Sequence, residues 1–97
     1  RMVPVHRVND LTVIGDAIER EMALIKVAGT GDKRVEALRL AEAFGARTID
    51  AGLEHFVFEV TGEVRDLERF IKLMANVGLV EVARTGIAAI SRGASSL

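Results

Sequence analysis

An α+β sandwich, in which one four-stranded antiparallel sheet carries two helices on one face, is the fold class that this sequence predicts. Three observations point to it. Apolar residues alternate in some segments and recur at helical spacing in others, glycines mark most changes of period, and the segments follow one another as βαββαβ. Ninety-seven residues, 49% of them apolar, with a mean hydropathy of +0.27, suffice for one such core and not for two.

The first strand spans Glu21 to Ala28, a short apolar run bounded by charges and by Gly29-Thr30-Gly31, as a central strand should be. Asp32 is a good N-cap for the helix that follows. That helix sets Ala37, Leu40, Ala41 and Phe44 on one stripe, opposite Glu36, Arg39 and Glu42, and stops at Gly45. Arg47 to Ala51 is short and polar, an edge strand, and Gly52-Leu53-Glu54 turns the chain into a strand from His55 to Thr61. There Phe56, Phe58 and Val60 face the helices, while His55, Val57 and Glu59 face away. After Gly62, Glu63 lies in a helix first turn that suits its charge, and Val64, Leu67, Phe70, Ile71, Met74 and Val77 recur at helical spacing. Gly78 is expected to supply a left-handed cap, Leu79 to Thr85 the fourth strand, Gly86 a bulge or bend, and Ile87 to Ile90 a further extended stretch. From Ser91 the chain trails into a small, polar, flexible tail.

This order is the split-βαβ, ferredoxin-like (ACT-like) pattern. Right-handed crossovers place the first and third strands at the centre and leave one sheet face bare of helices. Val57 and one side of the first strand lie on that face, with His55 as a polar neighbour, so a homodimer through it is expected. Residues 1–19 stand outside the count. Val3, Val5 and Val8 around Pro4 read as a strand with nothing of its own to pair with, and Leu11 to Asp16 as a linker. Because the chain starts Arg1-Met2, this stretch is read as the stump of a preceding domain.

Composition narrows the function. Thirteen Lys and Arg against fourteen Asp and Glu leave a net charge of −1, which gives no electrostatic reason to bind nucleic acid or anionic lipid. No apolar run reaches the ~18 residues of a membrane span, and no signal peptide is visible. With no cysteine there is no disulfide, thiolate nucleophile or cysteine-ligated zinc, and a cytoplasmic setting fits.

No set of catalytic residues emerges. Gly29-Thr30-Gly31 sits where a phosphate loop would, but Arg34 replaces the third glycine of the dinucleotide motif, and a tight turn accounts for the pair. His6 and His55 have no ligand-spaced neighbours, so no metal site is expected. Glu36 with Arg39 and Glu68 with Lys72 are spaced for solvated ion pairs. Ser91, Ser95 and Ser96 lack a local base. An RNA-binding RRM domain shares the βαββαβ order, but the first strand has no aromatic and the Phe56–Phe58 pair faces the core.

Two separated stretches carry a resemblance. Glu19-Arg20-Glu21-Met22-Ala23-Leu24-Ile25-Lys26-Val27 at the front, and Glu81-Val82-Ala83-Arg84-Thr85-Gly86 with Ile90-Ser91-Arg92-Gly93 at the back, resemble the C-terminal domain of the small, regulatory subunit of acetolactate synthase. Leu38 to Asp50 is similar to that domain too, and Val3-Pro4-Val5-His6-Arg7-Val8 to the last strand of the ACT domain before it. The resemblance implies a non-catalytic role: binding and activating a large subunit that holds thiamine diphosphate, magnesium and FAD, with no cofactor in this chain. It also implies transmission of feedback inhibition by branched-chain amino acids, often valine, whose binding would require the preceding ACT domain. Residues 1–19 are then the stump of that domain plus a linker, and 20–97 the ACT-like regulatory domain with its tail. The expected partner contact comprises Arg84, Thr85, Gly86, Ser91, Arg92 and Gly93, since arginines flank an apolar run there and glycines permit close approach. The same stretch also fits an edge strand with two solvated arginines. A free-standing ACT-type amino-acid sensor is the rival function.

Overall fold

The structure, a computed structural model, describes residues 17–94. The strand expected around Val3, Val5 and Val8, the linker at 11–16, His6 and the tail residues 95–97 lie outside the described residues. Within them run β1 (Ala17–Ala28), α1 (Asp32–Ala43), β2 (Arg47–Ala51), β3 (His55–Gly62), α2 (Val64–Val77), β4 (Leu79–Arg84) and β5 (Ala88–Ser91).

The class is α+β, but the antiparallel sheet has five strands rather than the expected four. Its path is β2-β3-β1-β4, with β1 and β3 central as expected, and β5 also pairs with β1. The extra strand follows from the length of β1. Its pairing with β3 begins only at Glu21↔Gly62, so residues 17–20 run beyond β3, and β5 pairs with them from Ala17↔Ser91 to Arg20↔Ala88. β4 occupies the same edge of β1 further along, from Ala23↔Arg84 to Val27↔Leu79. Between Ala23↔Arg84 and Arg20↔Ala88, β1 advances three residues and its partner four. The extra residue is a bulge centred on Gly86, whose φ of +87° favours glycine.

Side-chain alternation turns the sheet into a core. Ala23, Ile25 and Val27 of β1 and Phe56, Phe58 and Val60 of β3 point to one face, where they meet Ala37 and Ala41 of α1 and Leu67, Phe70, Met74 and Val77 of α2. Both helices thus lie on one face. Phe70 stands edge-on to Phe58, with ring centroids 6.3 Å apart, and 5.2 Å from Phe44. β2 is exposed along its whole length at the edge, with a register shift between Thr48 and Asp50.

Several local expectations change. Gly31, with φ +59°, is the N-cap of α1, which places Asp32 in the first turn with its charge against the helix dipole. The stop at Gly45 is a Schellman motif: the Gly45 N–H donates to the Glu42 carbonyl at 3.2 Å and the Ala46 N–H to that of Ala41 at 2.8 Å. Glu63 is the extended N-cap of α2, and Asp66 occupies the first turn. Gly78 caps α2 at φ 156°, away from the left-handed helical region; a Cβ there would collide with the Ala28 carbonyl oxygen, so glycine lets β1 and β4 approach. β4 stops at Arg84, one residue early. Glu68, expected to pair with Lys72, instead lies 3.9 Å from Arg84, whereas Glu36 and Arg39 pair at 3.6 Å as expected.

Candidate functional site

The expected contact residues divide at the Gly86 bulge. Before it, Arg84 and Thr85 turn inward onto β1. The Arg84 guanidinium grips the Glu21 carboxylate with two bonds, Nη2 to Oε1 at 2.6 Å and Nε to Oε2 at 3.1 Å, and the Gly86 N–H donates to Oε2 at 3.1 Å. The Thr85 N–H donates to the Met22 carbonyl at 3.0 Å, and the Thr85 hydroxyl accepts the Met22 N–H at 3.1 Å. Arg84, Thr85 and Gly86 are therefore tied to β1, with Arg84 and Thr85 still exposed.

After the bulge, residues 88–91 and 17–20 form a two-stranded ribbon. Ala89 is buried against Ala17 and Ile87, whereas Ile90, opposite Ile18, is 43% exposed. Ser91 ends β5 opposite Ala17, and Arg92 and Gly93 follow, both exposed.

Sequence reasoning missed Glu21 as a functional residue, although alternation offered the signal: it shares the core-facing row of Ala23, Ile25 and Val27. Its side chain is buried, and a buried carboxylate demands partners. Arg84 supplies them, and the hydrogen bond from its guanidinium is the main cause that holds the Glu21 carboxyl below the usual carboxylate range, against the opposing effect of burial. The same bond pushes the Arg84 guanidinium above its ordinary value. A second missed residue is Arg34, read only as an interruption of a glycine motif. Its Nη1 donates to the Gly52 carbonyl at 2.8 Å, and its guanidinium lies 4.1 Å from the Phe56 ring centroid, fixing the β2–β3 turn.

On the sheet face away from the helices, Val57 is half-buried and lines a shallow groove with Leu24, Lys26, Glu81 and Ala83. Ion pairs of Lys26 with Glu81 at 3.2 Å and Arg47 with Glu59 at 3.9 Å border this apolar centre, as does a hydrogen bond between His55 Nε2 and Asp50 Oδ2 at 3.0 Å. The bond from His55 holds the Asp50 carboxyl below its usual range. Among the described residues no group of three or more His, Asp and Glu side chains is placed to hold a metal, and no helix is long and apolar enough to cross a membrane. What the arrangement offers chemically is binding: a bordered apolar face and a pinned, exposed ribbon.

Comparison with known proteins gives the family. The sequence model of one family, described as the small subunit of acetolactate synthase, matches residues 20–93. A probable acetolactate synthase small subunit of Archaeoglobus fulgidus is 37% identical over 93 residues, covering 96% of this chain and 57% of that protein. The acetolactate synthase small subunit of Bacillus subtilis is likewise 37% identical, with 96% and 54% covered. Among solved structures, an acetolactate synthase small subunit from Thermotoga maritima superimposes with a TM-score of 0.75 at 41% identity, covering 82% of this chain and 49% of that one. The chain thus spans about half the length of these relatives.

Proposed function

The chain belongs to the family of acetolactate synthase small subunits, and from that premise we propose that residues 20–97, together with 17–19 at the start of β1, form an ACT-like, ferredoxin-like regulatory domain of the holoenzyme. In this reading the domain binds the catalytic large subunit, helps to activate it, and transmits feedback inhibition by a branched-chain amino acid such as valine. It performs no chemistry itself; thiamine diphosphate, magnesium and FAD belong to the large subunit. Of the stretch 1–19, residues 17–19 belong to β1 of this domain; the part before them is the end of a preceding ACT domain with its linker, and valine binding belongs to that preceding domain.

The observation that carries the reading is the family match over residues 20–93, which takes in all but the first three residues of the described sandwich and ribbon. The geometry supports a division of labour. The apolar groove around Leu24 and Val57, with its balanced ion pairs, suits a second copy of the chain, and the exposed Ile90 and Arg92 suit the large subunit.

Reconstitution tests the proposal. The small subunit, mixed with its matching large subunit, is expected to co-elute with it and to raise acetolactate formation. Separate elution with unchanged acetolactate formation at saturating small subunit would refute it. Calorimetric binding of valine to this chain without the large subunit would favour the free-standing sensor instead.

A further inference from the structure

Among the described residues Glu21 is the one buried charged side chain, 5% exposed, and it occupies a row otherwise filled by Ala23, Ile25 and Val27. A buried ion pair is a poor source of stability, because desolvating two charges offsets most of their attraction and apolar packing would serve as well. Its value is directional. An arginine fork on a carboxylate fixes distance and plane together, which apolar contact does not.

The directional bonds converge at the place where packing is thinnest. The sandwich behind Glu21 holds Phe58, Leu67, Phe70 and Met74, all fully buried, whereas the ribbon beyond it has a satellite core of only Ala89, Ala17 and Ile87. Between them the chain passes through Gly86, a positive-φ bulge with open space where a Cβ would stand, so no side-chain packing supports the turn there. One carboxylate spans this gap beside the backbone and hydroxyl bonds of Thr85 to Met22. Glu21 holds Arg84 at the end of β4 and the N–H of Gly86 in the bulge, while Arg84 Nη1 reaches Glu68 of α2 at 3.9 Å. Three elements and the bulge are thereby fixed to one another.

We propose that Glu21 is a positioning residue: through Arg84 and the Gly86 N–H it sets the angle of the 17–20/88–91 ribbon on the sandwich, and so the place at which Ile90 and Arg92 meet the large subunit. The inference rests on the proposed contact with the large subunit and adds the element that orients it. Arg84 then acts through Glu21, and its importance to the holoenzyme does not require it to touch the partner.

The test uses the small subunit carrying Glu21→Gln, which keeps the shape and removes the charge, or Arg84→Lys, which keeps the charge and removes the fork. Hydrogen exchange of the free subunit is expected to speed up about tenfold at the amides of 17–20 and 88–91, with residues 23–27 and 56–60 unchanged. Activation of the large subunit is expected to need about tenfold more small subunit for half-saturation, with the same maximal acetolactate formation. Unchanged ribbon exchange overturns the proposal, and so does a loosened ribbon with unchanged half-saturation. Should Glu21→Gln fail to fold, Arg84→Lys carries the same comparison from a side chain one-third exposed. Failure of the unsubstituted subunit to activate is a separate result, seen before any variant is made, and would overturn the proposed function itself.

Discussion

The sandwich and the ribbon are held by opposite means. Between β1, β3 and the helices, order comes from interlocked apolar side chains, six of them large and fully buried. Between the sandwich and the ribbon, β1 runs through, and the return chain is held to it by a carboxylate, a guanidinium, the Gly86 N–H and the bonds between Thr85 and Met22. Packing resists deformation in every direction and has no switchable part, whereas a hydrogen-bonded joint is specific in angle and yields when one charge is removed. A well-packed core beside a sparsely packed projection fits the proposed regulatory role.

The largest expected effect breaks the sandwich side of that contrast. Phe70→Ala removes a ring in contact with Phe58 and Phe44, and denaturant unfolding should show a loss of ~3–5 kcal/mol. A loss below about 1 kcal/mol, usual for surface changes, would mean that the helix does not carry the core.

Arg84→Ala attacks the joint. It strands a buried Glu21, and because the Arg84 side chain is one-third exposed the cost should sit near the lower end for a broken buried pair, about 3 kcal/mol at neutral pH. Acid probes the same bond. The folded Glu21 carboxyl titrates below its unfolded value, so the unfolded chain binds more protons on acidification. The stability this confers is complete above the ordinary carboxylate range and disappears as pH falls through the lowered folded value. Unfolding curves of Glu21→Gln should lack that acid limb; an identical limb in both proteins would show that Glu21 is not its source.

Arg92→Ala should separate contact from stability. It lies past β5, exposed, and its loss is expected to weaken coupling to the large subunit by ~1–3 kcal/mol in activation titrations, with unfolding unaltered. An unaltered titration would remove this end of the ribbon from the interface. Val57→Lys should have the smallest effect on folding, since the residue is half-buried at a groove, yet shift the protein towards monomer in sedimentation with its helical circular dichroism intact. A wild type already monomeric at high concentration would end the idea of a dimer through this face.

The same contrast explains what was legible in the sequence. The helical stripe of Val64, Leu67, Phe70, Ile71, Met74 and Val77 and the alternation of Phe56, Phe58 and Val60 repeat often enough to stand out, and the structure buries all of them but Val64 and Ile71, which stay half-buried. The fifth strand was visible only as an extended stretch after Gly86. Ala88–Ser91 spans four residues with mixed side chains, too few to show a period, and its partner segment 17–20 includes Glu19 and Arg20. Caps shifted by one residue at Asp32 and Glu63 because a glycine's φ and an extended backbone, rather than a side-chain oxygen, begin those helices. The Glu21–Arg84 pair, 63 residues apart in sequence, depends on strand register, which no local pattern encodes. Its one trace was a charge in an apolar row.

Hydrogen exchange on the reconstituted complex tests the account most directly, by comparing the free small subunit with the same subunit bound to its large subunit. Protection is expected to rise at residues 17–20 and 84–93, with the amides of α1 and α2 unchanged. Protection gained along either helix, with the ribbon exchanging as it does in the free subunit, would contradict the account.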